Sequence, residues 1–405
     1  MKQPTQFREL FKLFRQRFVE SDALAPDSDY NTNLWQILGI LAVPGLYASG
    51  MLYSALLEQD NSTYAIWMLR GVRTFFCAYS FTVTGFATLF EWDMLFPERR
   101  DFLVLTLFPI RMRDLFLAKL ASLGVLLGVL IATVNAGAVS ILVLVLTMST
   151  RAHNLAFVGK ALAYVTCTTA SAIFGFLVVA GLQGLLINIM PVRAFRKISP
   201  YVQMAGMSAM VLALVLFPLY INMLVVLVHQ EWLWWFPPYW FAAAQELWVG
   251  VPGALLHAVG WWAWKMFGCA ALLFIGTWAA GFARHYRKTL ESEEAAAGSL
   301  QRGRSWFDRL LHTPQERAVF YFSGSILARS TKHRLFLACY WSAGVAFGLI
   351  SALSLDGGQL AFKADGLRAF PFLMTFFAIS GFRAAFQFPA ELASNWTFQI
   401  AEAGW

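Results

Sequence analysis

Charge is what this sequence has least of. Only 13% of its 405 residues are charged, about half the 25% that an ordinary soluble domain carries. A 45.4 kDa chain folded in water could bury a large core but would still need a polar skin. With 59% hydrophobic residues and a mean hydropathy of +0.58, this chain lacks the residues to make one. Bilayer lipid removes that need, and the composition predicts an all-α, polytopic helical membrane protein.

Other absences narrow the chemistry. The four cysteines, Cys77, Cys167, Cys269 and Cys339, show no CxxC spacing and lie inside apolar runs. They read as buried small apolar residues rather than disulfide or metal partners. The six histidines are scattered without metal-ligand spacing, and HExxH and GxSxG are both missing. So is GxxxxGK[ST], which means the chain does not by itself hydrolyse ATP in the P-loop manner. No secretory signal precedes the first apolar run, which begins near Leu34.

What is present is a succession of long apolar runs, at about 34–57, 67–90, 115–147, 158–189, 201–228, 265–283, 336–355 and 370–386. Each reaches or nearly reaches the ~20 residues that cross ~30 Å of hydrocarbon, so about eight spans are expected. The third and fourth runs exceed that length and should tilt, kink or project. Ahead of them, Phe7, Leu10, Phe11, Phe14 and Phe18 share one helical face, with Arg8, Lys12, Arg15 and Arg17 around the other side. That pattern predicts an interfacial helix within 1–33, on the cytoplasmic side.

The net charge of +8 sits in the gaps between runs. It is expected to set topology and touch anionic headgroups, with no nucleic-acid partner. Lysine and arginine crowd the lead and the even gaps, above all 284–335, and are sparse in the odd gaps, which places the N-terminus and the even gaps inside. Arg70 and Arg73 break the rule at the outer end of the second span, where snorkelling or a polar cavity would accommodate them. The outer gap 229–264 is dense in Trp and Tyr and broken by Pro237, Pro238 and Pro252. It predicts short half-embedded helices, with a structural aromatic belt and a substrate-handling role both open. Small residues within spans, such as Gly124, Gly128 and the 166–171 stretch, read as packing devices.

Residues 91–120, EWDMLFPERRDFLVLTLFPIRMRDLFLAKL, are too apolar for a plain loop and too charged for a span. The pattern suits a cytoplasmic helix–break–helix along the membrane. One chemical alternative is a membrane-embedded, metal-dependent transferase whose Glu91, Asp93, Glu98 and Asp101 hold magnesium; the interleaved arginines and the unpaired spacing argue against it. A non-catalytic membrane scaffold is another alternative.

An amphipathic entry helix, two spans and the segment 91–120 together resemble the permease subunit of a type 2 ABC exporter. In that family the segment after the second span is the coupling helix that docks on the ATPase. The resemblance implies Phe96, Pro97, Arg99, Arg100, Asp101, Pro109 and Lys119 as ATPase-coupling positions. It covers about 1–290 as architecture, and the aromatic outer segment is similar to the family's re-entrant element. A second patch, 381–402, resembles a segment of longer, unclassified exporter permeases and implies a second cytoplasmic contact at Arg383, Pro389, Glu391, Asn395 and Trp396.

The resulting expectation is a 34–283 six-span unit, a 284–335 cytoplasmic linker and, at 336–405, the start of a second, incomplete unit of two spans. The resemblance implies a multi-pass protein of the bacterial cytoplasmic (inner) membrane. Its partner would be a separate cytoplasmic ABC ATPase, which supplies ATP and magnesium chemistry while this chain carries no cofactor, metal or catalytic residue. Two permease units, or one longer chain, would frame the path.

Overall fold

The computed structural model describes residues 6–19, 62–95, 112–149, 154–216, 234–250, 254–291, 313–356 and 359–387, with the isolated position 43. The chain is an all-α polytopic membrane protein. Its elements are α1 (Gln6–Val19), α2 (Ser62–Phe90), α3 (Trp92–Leu95), α4 (Met112–Ser149), α5 (Asn154–Ile189), α6 (Val192–Val215), α7 (Pro237–Val249), α8 (Ala254–Glu291), α9 (Pro314–Arg329), α10 (Thr331–Ala352), β1 (Leu353–Asp356), β2 (Gln359–Phe362) and α11 (Ala364–Gln387).

Six of these helices contain a stretch long and apolar enough to cross a membrane: Leu117–Ala136, Leu162–Ile189, Lys197–Val215, His257–Gly281, Thr331–Ala352 and Ala364–Phe386. The second expected run corresponds to α2, which carries Arg70 and Arg73 and is not among the six. The first run, 34–57, lies outside the described residues apart from Val43. The two longest runs become helices of 38 and 36 residues, α4 and α5, both longer than a perpendicular crossing requires.

α2 and α5 form the centre, and α4, α6, α7 and α8 pack around them. In lipid the hydrophobic effect gives helices little reason to associate, so contact depends on close packing and hydrogen bonds. Both occur between α2 and α5. Ser171 Oγ donates to the Cys77 carbonyl at 2.8 Å and Thr84 Oγ1 to the Ala172 carbonyl at 2.9 Å. A Cβ on Gly175 would stand 2.6 Å from the Phe81 carbonyl oxygen, so the two backbones meet there only because the residue is glycine. Between α2 and α4, Ser80 Oγ donates to Asn135 Oδ1 at 3.0 Å. Between α5 and α8, Asn188 Nδ2 donates to the Thr277 carbonyl at 2.7 Å.

Gly124 and Gly128, expected to pack, meet no described residue within 4 Å of a Cβ built at either. They fall on an outward face of α4, a matter of helix rotation that glycine spacing does not specify. Cys77 and Cys167 are buried as expected, whereas Cys269 is exposed on α8.

The N-terminal helix forms where its periodicity puts it and lies against α4 with Leu10 and Phe14 buried. Within the linker 284–335, α9 is a regular helix. It starts at a capping box in which Thr313 Oγ1 accepts from the Glu316 amide while the Glu316 carboxylate accepts from the Thr313 amide. α10 and α11 pair as a hairpin, with a two-stranded antiparallel ribbon between them in which Asp356 faces Gln359. The hairpin docks on α6. Leu335 joins Leu89, Trp92, Val179 and Met207 in one apolar cluster, and the Arg334 guanidinium lies 5.8 Å from the Tyr201 ring centre.

Candidate functional site

Two places in the bundle concentrate polar side chains against the surrounding chemistry. The first is where α7 meets α2. Trp234 and Trp235 precede an extended Phe236, and Pro237 and Pro238 then open α7, proline being suited to the first turn because its missing N–H has no helical partner there. Gly250 closes the helix in the left-handed conformation (φ 83°), a region that glycine enters without steric cost. With 13 residues α7 is too short to span. It is enclosed by α2, α5 and α8, so that Pro238 through Glu246 are buried all round.

Two expectations for 229–264 change accordingly. The segment does contain a short helix and no span of its own. However, the long helix α8 already begins at Ala254, eleven residues before the expected start of the sixth run. The short helix is also sunk into the bundle rather than half-embedded at its surface. Small residues on both helices explain the depth: a Cβ on Gly260 of α8 would come 3.0 Å from the Ala244 Cα and 3.2 Å from the Ala243 carbonyl oxygen.

That insertion carries Glu246, 3% exposed, to α2. Arg70 Nε donates to Glu246 Oε1 at 2.8 Å, and its terminal nitrogen to Oε2 at 2.9 Å, a bidentate grip. Arg73, one turn further along α2, stands 3.9 Å from the same carboxylate, in ion-pair range without a hydrogen bond. Two guanidiniums therefore share one carboxylate. α7 brings a counter-ion to them. Tyr239, 2% exposed on α7, has a hydroxyl without a hydrogen-bond partner among the described residues, as does Gln245 Oε1. Burial pushes the Tyr239 phenol above its ordinary pKa, with Arg70 opposing and Glu246 reinforcing the shift.

The second place is the foot of α2, from which the segment 91–120 emerges. The last carbonyls of a helix lack intrahelical donors, and neighbouring helices supply them here. Gln203 on α6 donates to the Leu89 carbonyl and Gln183 on α5 to the Trp92 carbonyl, both at 2.7 Å. Trp92 Nε1 in turn donates to Ser199 Oγ on α6 at 2.8 Å. All four side chains, Gln183, Gln203, Trp92 and Ser199, are buried. The far end of the segment is held as well: Lys119, 3% exposed at the start of α4, has its ammonium 5.5 Å from the centre of the buried Phe14 ring of α1.

Of the positions that the resemblance implies for coupling and for a second contact, Lys119 and Arg383 are described, the latter exposed near the end of α11; of the four carboxylates of the transferase alternative, Glu91 is described and half-buried. Phe96, Pro97, Arg99, Arg100, Asp101, Pro109, Pro389, Glu391, Asn395 and Trp396 lie outside the described residues, as do Glu98 and the side chain of Asp93. Among the described residues no three His, Cys, Asp or Glu side chains are grouped as metal ligands would be. Sequence reasoning singled out Arg70 and Arg73 but not their partner, and it missed Gln183, Gln203 and Tyr239. Glutamines inside spans were the available signal, since an amide in lipid needs a partner.

Compared with protein families, curated proteins and solved structures, the chain matches none of them.

Proposed function

We propose that this chain is the membrane permease subunit of an ATP-driven exporter of the ABC type, coupling ATP hydrolysis in a separate cytoplasmic ATPase to movement of its helices. It would sit in a bacterial cytoplasmic membrane with its N-terminus inside. The observation that carries this reading is the clamp at the foot of α2. A segment that transmits force must be rigidly tied to the helices it moves, because coupling needs a two-state element that both ends can bias. Gln183, Gln203 and the Trp92–Ser199 bond tie the beginning of 91–120 to α5 and α6. Lys119 under Phe14 ties its end to α1. The architecture adds support: an amphipathic entry helix on α4 and a short buried helix before α8 both fit the pattern of such permeases.

On this reading Phe96 with the Leu-rich stretch anchors the ATPase, and Arg99, Arg100 and Asp101 fix its register. A buried anchor typically costs about 2 kcal/mol or more when truncated, and rim charges cost less. The test is retention of a P-loop ATPase on the tagged protein purified from its native membranes, together with ATP turnover, in Phe96→Ala, Arg100→Glu and Asp93→Asn. Loss of ATPase coupling in the first, salt-dependent loss of assembly in the second and tolerance in the third are expected. Unchanged retention in the first two removes the reading. A metal-dependent activity abolished by Asp93→Asn would establish the transferase instead.

A further inference from the structure

Two spans begin side by side where α6 meets α10, and every formal charge on those two helices is positive. Arg193, Arg196 and Lys197 lie in the first two turns of α6, and Lys332 and Arg334 in the first turn of α10; neither helix contains an aspartate or a glutamate. Their apolar stretches start at Lys197 and Thr331, so these basic residues stand where hydrocarbon gives way to headgroups. Arg334 joins the two helices, with its guanidinium 5.8 Å from the Tyr201 ring centre. Among the described residues the guanidinium makes one hydrogen bond, a long one of 3.5 Å to Thr331 Oγ1. Its Nε is buried without an acceptor, and it has no ion pair. Lys197 precedes Tyr201 by four residues and so shares its face of α6; it is exposed and has no ion pair among the described residues either. A guanidinium laid on an aromatic ring with an unused N–H lacks the anion that its charge calls for.

The surface beyond this point indicates which anion. α6 and α10 run on together, with Met207, Met210 and Cys339 gathered around Leu335. After Tyr201, which is 61% exposed, the next exposed residues of α6 are Ala205 and Ala209, at spacing four on one face. They carry that face about 12 Å further into the apolar zone and, being small, leave it a shallow trough. Trp341, seven residues after Arg334 on the same face of α10, is 49% exposed two turns in. A soluble oxyanion has no use for an apolar trough that starts at its binding groups, and a lipid does. We propose that an anionic phospholipid binds at this junction. Arg334 and Lys197 hold its phosphate next to Tyr201, and one acyl chain lies along Ala205 and Ala209. A zwitterionic lipid would bring its own ammonium to two cations and bind less well.

The test uses the full-length protein purified in detergent. Thermal unfolding is followed during titration with palmitoyl-oleoyl phosphatidylglycerol, with the phosphatidylcholine of the same chains, and with inorganic phosphate. Phosphatidylglycerol should raise the unfolding temperature at lower concentration than phosphatidylcholine, and inorganic phosphate should leave it unchanged. Arg334→Gln should raise the half-saturating concentration of phosphatidylglycerol by about tenfold, since a charge-assisted pair is lost. Lys197→Gln, at an exposed position, should raise it by about fivefold. Ala209→Phe fills the trough without changing charge and should also weaken the response. These two exposed positions carry the test if Arg334→Gln does not fold. Lys363→Gln removes the same charge from the start of α11 and should respond as the parent does, which separates a site from general attraction to a basic protein. Equal stabilisation by phosphatidylcholine or by inorganic phosphate, an undiminished response in Lys197→Gln or Ala209→Phe, or an equal loss in Lys363→Gln overturns the proposal.

Discussion

Arg70 holds both carboxylate oxygens of Glu246 across 176 residues of sequence, from the third turn of a long helix to the last turn of a short one. The bond joins a misfit to a misfit. An arginine in an apolar helix and a glutamate in a Trp-rich segment are each costly alone, and the fold removes both costs by bringing α7 between α2, α5 and α8.

Breaking this pair on one side should hurt far more than deleting it. Glu246→Ala removes the carboxylate that Arg70 grips and Arg73 approaches and should lose about 3–5 kcal/mol, whereas Arg70→Met with Glu246→Met should lie much closer to the parent. A double-mutant cycle on unfolding in detergent or bicelles reads the difference. A loss in Arg70→Met/Glu246→Met equal to the sum of the losses in Arg70→Met and Glu246→Met alone would show that the pair is not coupled in the folded protein.

The clamp at the foot of α2 predicts a local effect. Gln183→Leu or Gln203→Leu strands a buried carbonyl and should cost about 1–3 kcal/mol each. Amide hydrogen exchange should rise in residues 89–95 and change little in α8. A uniform increase throughout the protein would mean that the glutamines hold the whole bundle rather than this end of one helix.

Glycines separate into two groups. Gly260→Val drives a side chain into the Ala243–Ala244 backbone of α7 and should cost about 1–3 kcal/mol as overpacking, loosening the Arg70–Glu246 contact with it. Gly124→Val points away from any described neighbour and should be tolerated. Comparing the two unfolding temperatures is sufficient, and a larger loss at Gly124 would contradict the orientation of α4.

Topology rests on the alternation of lysine and arginine and has its own check. A single cysteine at Ser62 should react with a membrane-impermeant reagent in intact cells and one at Ser292 should not. The reverse pattern inverts every loop.

Hydropathy made most of the helices legible, because lipid demands long apolar runs and this chain supplies them. The Trp-rich segment was also readable as non-spanning, since prolines at 237 and 238 interrupt it. Its burial was not, because depth is set by what α8 offers at Gly260, and a contact between distant residues leaves no periodic trace. Two local features carried signals that hydropathy obscured. Thr313-Pro-Gln-Glu316 is a capping box inside a segment read as a linker. LSLD and QLAF flank Gly357-Gly358, a pair typical of a two-residue hairpin connection, where the sequence was read as the end of the 336–355 run and the gap after it. Of the two site arginines, anomaly was visible and partnership was not.

The docking of the α10–α11 hairpin on α6 has a consequence for how the polypeptide can be divided. Leu335 sits in a shared apolar cluster with Leu89 and Met207, and Phe336 meets Phe90 edge to face at 6.1 Å. The attachment is made by side chains, so it does not depend on the peptide that runs through 292–312. A nick there should leave the fragments co-migrating, and two pieces made from separate messages should find each other in the bilayer. Severing the chain at 292–312 would then change assembly kinetics more than the finished protein.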